Sequence, residues 1–196
     1  MTKALRTPLA DPVFMTVNGT RLIADPSGVA YWPDESVLLV SDLHFEKGSA
    51  YAARGQLLPP YDTRATLQRL AAAITVYQPE SVIALGDSFH DLGADGRMAP
   101  DDAEALSALV ASVQDWLWIE GNHDPKPPVS GQGRRVRRRC FATDGARLIL
   151  PAFGAYTGGL NVCDAAYAPL FQTRPHAYML GRERVYAVNG AKLLGD

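Results

Sequence analysis

The sequence predicts an α/β fold in which a parallel sheet gathers three polar clusters along one edge. Three observations carry that expectation. Short apolar runs recur at residues 37–40, 82–85 and 116–119, and stretches with helical spacing separate them. Each run ends in a cluster of Asp, His, Asn or Gly: Ser41-Asp42-Leu43-His44, Gly86-Asp87-Ser88-Phe89-His90 and Gly121-Asn122-His123-Asp124. In an open α/β sheet, ligands collect beyond the carboxyl ends of the strands. Clusters far apart in sequence therefore meet at one place.

Residues 13–17 and 21–24 flank Asn18-Gly19, a dipeptide that supplies the positive φ of a tight hairpin turn. Residues 26–36 read as turns, with Pro26, Gly28, Pro33 and Asp34. The run 37–40 is wholly apolar and suits a strand buried on both faces. Pro59-Pro60 stops what precedes it. Asp62 can cap a helix on which Leu67, Leu70, Ile74 and Tyr77 share a face, and Pro79 ends it. After the second strand, a helix is expected from about Asp102. There Asp101 and Glu104 have the form of a capping box, and Leu106, Val110 and Val113 share a face. Beyond Asp124 the rhythm stops at Pro125, Pro127, Pro128, Gly131 and Gly133. Residues 148–150 and 184–188 are the remaining strand candidates, with a turn at Asn189-Gly190. Residues 153–160 are rich in small side chains, which either line a site entrance or pack closely near a sheet edge, and no internal repeat is visible.

Composition bounds the class of protein. A chain of 196 residues reads as a single domain, 1–196. With 47% apolar and 20% charged residues, it can build a core and is not disordered overall. A net charge of -2 excludes a protein basic throughout and leaves room for a local basic patch. Two Cys make neither a disulfide framework nor a four-thiolate zinc site. Pro8, Asp11 and Pro12 interrupt any apolar signal core, and no run is long enough to span a membrane. The expected location is the cytoplasm.

The clusters combine carboxylate, imidazole and amide oxygen, a donor set suited to a divalent ion such as Mn, Fe or Zn. Asp42 and His44 are two residues apart, so an extended backbone would point both to one side. An Asp between two ions can bridge them, and Asp87 is the candidate. Two metals about 3.5–4 Å apart can clamp the attacking and leaving oxygens of an in-line phosphoryl displacement. His123 would then stand near the leaving group, with Asp124 orienting it. Singly, each of these residues has an ordinary reading as a cap, turn or surface group. Three such clusters after three apolar strands make coincidence a poor explanation.

These motifs, in this order, resemble the first three signatures of the calcineurin-like metallophosphoesterases. Tyr31-Trp32-Pro33, Phe45-Glu46-Lys47 and residues 150–160 further resemble one bacterial branch, the ligase-associated DNA-damage-response phosphoesterases (PdeM). The resemblance covers about residues 17–190. It implies an α/β sandwich of two mixed sheets flanked by helices, here with the second sheet shortened. It implies Asp42 and His44 on a first metal, Asp87 bridging and Asn122 on a second. His123 contacts the phosphate with Asp124 behind it, and His90 lies beside the site. Gly86 and Gly121 let the backbone turn close to the ions. The implied activity is metal-dependent hydrolysis of phosphodiesters, as in an endonuclease, with a DNA ligase and a helicase as partners.

The chain departs from the family pattern after Asp124. The family adds an isolated His and then a Gly-His-x-His motif; neither occurs here, and about fifty residues are missing near 128–133. His176 is the only His beyond His123. The first metal keeps Asp42, His44 and Asp87, whereas the second keeps Asp87 and Asn122, so one ion is favoured over two. This sets a weakened or inactive relative, one that binds DNA or a repair partner, beside the enzyme. A third reading rebuilds the site through His176 or a partner chain. Arg134, Arg135, Arg137, Arg138 and Arg139 form a patch suited to phosphate or DNA backbone. The plain alternative is a solvated loop. Cys140 and Cys163 read as small unreactive apolar residues, and Trp32, Trp116 and Trp118 as core or rim.

Overall fold

The computed structural model describes residues 12–56, 61–91, 94–119 and 139–193. The chain opens with a hairpin, β1 (Val13–Val17) against β2 (Thr20–Ala24). Its turn has Asn18 at φ 49° and Gly19 at φ 81°, as the dipeptide requires. β3 (Ala30–Trp32) continues antiparallel, followed by β4 (Val37–Ser41). β5 (Ser81–Leu85) and β6 (Asp115–Ile119) then add parallel to β4. The result is a mixed six-stranded sheet in the order β1-β2-β3-β4-β5-β6.

Helices α1 (Lys47–Ala53) and α2 (Asp62–Tyr77) connect β4 to β5, and α3 (Pro100–Ala111) connects β5 to β6. The expected β-α-β-α-β rhythm is thus present. The second sheet has four strands in the order β10 (Val185–Val188), β9 (His176–Leu180), β7 (Cys140–Thr143) and β8 (Leu148–Ile149).

Side-chain alternation divides the core in two. On β4, Leu38 and Val40 are fully buried, and they cluster with Val82 and Ala84 of β5 and with Leu67, Leu70 and Ile74 of α2. Leu39, between them, faces the other way, into a cluster that joins Met15, Leu22, Ala24 and Ala30 to Phe141, Leu180 and Val185 of the second sheet. The first cluster is the helix–sheet layer and the second is the inter-sheet layer. The period of two is what lets one strand serve both. A main-chain bond also joins the sheets, from Asn18 N–H to the Gly145 carbonyl at 2.8 Å.

Several local expectations need correction. Asp62 does not cap α2; Tyr61 stands at that position, and the Asp62 carboxylate accepts from the Gly48 N–H at 2.9 Å. The Asp101–Glu104 capping box does not form, because α3 begins earlier, with Pro100 in its first turn and Ala99 as cap. Proline has the φ a first helical turn needs and lacks only a donor that would be unpaired there. Asp102 instead accepts from Arg64 Nε at 2.9 Å. Within the stretch read as turns, β3 forms because β2 and β4 on either side offer open ladders. Strands β7 and β9 were not expected at all. Among the described residues no helix is long and apolar enough to cross a membrane.

Candidate metal centre

The carboxyl ends of the parallel strands are level: Ser41 pairs with Leu85, and Leu85 with Ile119. The ladder does not stop there. Asp42 N–H reaches the Gly86 carbonyl at 3.3 Å, and Gly86 N–H reaches that of Ile119 at 3.0 Å. Further out, His44 N–H bonds Asp87 O and Phe45 N–H bonds Ser88 O, both at 2.9 Å, and His90 N–H bonds Phe45 O at 3.0 Å. The first two sequence clusters are therefore zipped together by main chain.

The backbone between Asp42 and His44 does not stay extended, so the condition for a simple alternation is not met. Asp42, His44 and Glu46 have φ of 51°, 45° and 64°, and Asp87 has 43°. Non-glycine residues in this left-handed region are uncommon, though Asp and His tolerate it better than most. Gly86, at φ 65°, provides the turn assigned to it. The alternation survives: Leu43 and Phe45 are fully buried, while Asp42 and His44 are only partly so. The two apolar residues pin the loop to the core and turn the two polar ones outward.

The outcome is a cluster of Asp42, His44 and Asp87, whose nearest ligand atoms all lie within 4.8 Å of one another. His44 Nε2 stands 3.8 Å from Asp42 Oδ1. Ligand atoms about 2.0–2.2 Å from one ion stand at most about 4.4 Å apart. A divalent cation thus fits after a contraction of a few tenths of an ångström. Two carboxylates and an imidazole suit Mn, Fe or Zn chemically.

His90 stands beside this cluster, its ring centroid 5.7 Å from that of His44 and 5.9 Å from that of Tyr51. It belongs to the rim rather than to the three ligands. Asn122, His123, Asp124, Gly121 and the arginines at 134, 135, 137 and 138 lie outside the described residues. Arg139 is half-buried and donates from Nη1 to the Ala152 carbonyl at 2.8 Å. His176 opens β9, exposed and opposite Thr143, and is not one of the three clustered ligands. Cys140 is pushed up to about 11, chiefly by burial, so it stays a thiol.

Two supports for the centre are invisible in sequence patterning. The first is a buried polar lock. Glu46 N–H donates to Thr63 Oγ1 at 2.8 Å, and the Thr63 hydroxyl donates back to Glu46 Oε1 at 2.9 Å. The second is the small-residue stretch after Pro151. Phe153 N–H bonds the Ser41 carbonyl at 3.0 Å, and Gly154 N–H bonds that of Asp42 at 2.8 Å. A Cβ on Gly154 would lie 2.5 Å from Leu43 O, so only glycine lets this strap approach the ligand loop. The sequence leaves this stretch open between lining a site entrance and close packing near a sheet edge, and it does not say that Gly154 packs on the ligand-loop carbonyls.

Residues 36–191 match the calcineurin-like phosphoesterase family, and the chain belongs to it. Its fold is also similar to that in the crystal structure of Pseudomonas putida nuclease MPE, with a TM-score of 0.65 and 24% sequence identity. That likeness covers 91% of this chain and 100% of the other, and what it shows is a shared fold. No curated protein matches the chain.

Proposed function

We propose that this protein hydrolyses phosphodiesters in nucleic acid, with a divalent metal held by Asp42, His44 and Asp87. The observation that carries the reading is the convergence of those three side chains, within 4.8 Å, at the carboxyl edge of the parallel strands. Family membership and a neighbour named a nuclease support the class of reaction and of substrate. A bound ion of this kind supplies Lewis-acid polarisation of the phosphoryl group. The chain's own residues hold the ligand loop rigid, orient His44 beside Asp42, and keep Leu43 and Phe45 beneath it as a dry floor.

In this reading the metal is Mn-like, His123 and Asp124 serve the leaving group, Asn122 assists a weaker second ion, and Arg134, Arg135, Arg137 and Arg138 hold DNA backbone. The setting is cytoplasmic DNA repair beside a ligase and a helicase. A second reading, a weakened relative that binds DNA or a repair partner, draws on the position of His176: it sits exposed at the start of β9, apart from the three ligands.

A chromogenic phosphodiester with Mn²⁺ decides between them. Asp87→Asn removes a shared ligand, and turnover is expected to fall by about 10²-fold or more, in line with loss of metal charge stabilisation. Equal background hydrolysis in both proteins overturns the enzyme. Metal stoichiometry by elemental analysis is expected to give one tightly held ion per chain.

A further inference from the structure

Two arginines from distant parts of the chain meet at Phe153. Arg69, on α2, lays its guanidinium over the Phe153 ring, 4.3 Å from the centroid. Arg139 reaches the same residue from the other side of the sequence, with Nη1 bonded to Ala152 O at 2.8 Å and 3.5 Å from Phe153 O. Both side chains are half-buried. Among the described residues, neither of these arginines has a carboxylate partner. Arg69 Nε and Nη2 are enclosed and meet no hydrogen-bond acceptor among the described residues.

This is an expensive arrangement for a merely structural pair. Two like charges taken partly out of water repel each other, and burial pushes Arg69 down to about 10, with Arg139 adding to the effect. Burial lowers Arg139 as well. Stacking on an aromatic ring offsets only part of that cost. A guanidinium pair is, by contrast, the usual way to hold a phosphate, through planar forks of donors.

Position adds to this. The span from Ala152 to Gly154 takes the Arg139 bond at its first residue, and its next two amides hold the carbonyls of Ser41 and Asp42. The arginine pair is thus fastened to the same three residues that brace the metal ligands.

We propose that Arg69 and Arg139 form a phosphate-binding subsite beside the metal centre. Its ligand is either a backbone phosphate of a nucleic-acid chain, next to the one attacked, or free phosphate. The proposal rests on the phosphodiester reading only for the source of that phosphate. Arg69 is the residue to test, because Arg139 also ties down main chain.

Binding is measured with metal chelated by EDTA, using inorganic phosphate in one arm and an uncleavable phosphorothioate oligonucleotide in the other. Circular dichroism confirms that each variant is folded. Arg69→Met keeps the packing on Phe153 and removes the charge; affinity is expected to fall about tenfold or more in at least one arm. Arg69→Lys, which keeps a charge without the fork, is expected to fall between, and serves alone if the methionine variant does not fold. Loss confined to the oligonucleotide arm assigns a chain phosphate; loss confined to inorganic phosphate assigns the free anion. Unchanged affinity in both arms, with either folded variant, overturns the subsite. If wild type has no diesterase turnover but Arg69-dependent binding persists, the proposed function falls and this subsite stands.

Discussion

Gly154 packs directly on the backbone of the ligand loop. Its missing side chain lets its amide reach the Asp42 carbonyl while Leu43 O passes 2.5 Å from where a Cβ would stand. Those are backbone atoms of the metal loop, which cannot swing aside as a flexible side chain would. Gly154→Ala is therefore expected to displace Asp42 and His44 together. Groups that orient metal ligands typically cost 10–100-fold in affinity when disturbed, so metal binding by calorimetry should weaken by about that factor. Urea unfolding should show a smaller effect, about 1–3 kcal/mol, as for other overpacked sites. A normal metal affinity in the alanine variant would mean that the strap does not hold the loop.

Between elements, the polar lock of Glu46 and Thr63 ties the start of α1 to the start of α2. Both residues are buried, so their hydrogen bonds are obligatory for each other. Thr63→Val keeps most of the shape and removes the hydroxyl. It leaves the Glu46 N–H and a carboxylate oxygen enclosed without their shared partner, which costs about 1–3 kcal/mol. The urea midpoint should fall accordingly with an unchanged slope, and Thr63→Ser should restore it. At this scale the sequence was legible where periodicity is strong. The apolar runs that became β4, β5 and β6, the face of α2 and the Asn-Gly hairpin all appear where expected. It was illegible for β3, with three residues among prolines and glycines, and for β7 and β9. These last two exist because each completes the other, with Phe141 opposite Tyr178 and Ala142 opposite Ala177. That pairing is non-local and leaves no mark in either segment alone. The metal centre divides the same way. Asp42, His44 and Asp87 stand out as motifs, whereas Thr63 is an ordinary residue until the fold brings it against Glu46.

Across the whole molecule, a main-chain bond at the turn between β7 and β8 adds to the apolar layer that joins the two sheets. Gly145 O accepts from Asn18 in the opening hairpin, and neighbouring Asp144 organises the turn. Asp144 Oδ1 accepts from the amides of Ala146 and Arg147 at 3.0 and 2.9 Å, and Oδ2 accepts from Gln172 at 2.8 Å. These amide bonds draw its carboxyl down from 3.8 to about 2. A carboxyl depressed on folding stabilises the protein above its ordinary range, and that contribution is lost as pH falls from 3.8 through about 2. Asp144→Asn cannot accept from Gln172 with its amide nitrogen. It should lower the thermal midpoint at pH 7, and the gap to wild type should close as the solution is acidified through that window. A gap independent of pH would place the effect in packing.

The main-chain bonds that run on past the ends of β4 and β5 have one more consequence. Where the donors stand is set by peptide groups, so the chemical identity of a donor can change without rebuilding the loop. Aspartate accepts the same left-handed backbone that His44 occupies. Exchanging that imidazole for a carboxylate would shift the preference from borderline toward harder cations, making this edge of the sheet a socket whose appetite for ions can be retuned one atom at a time.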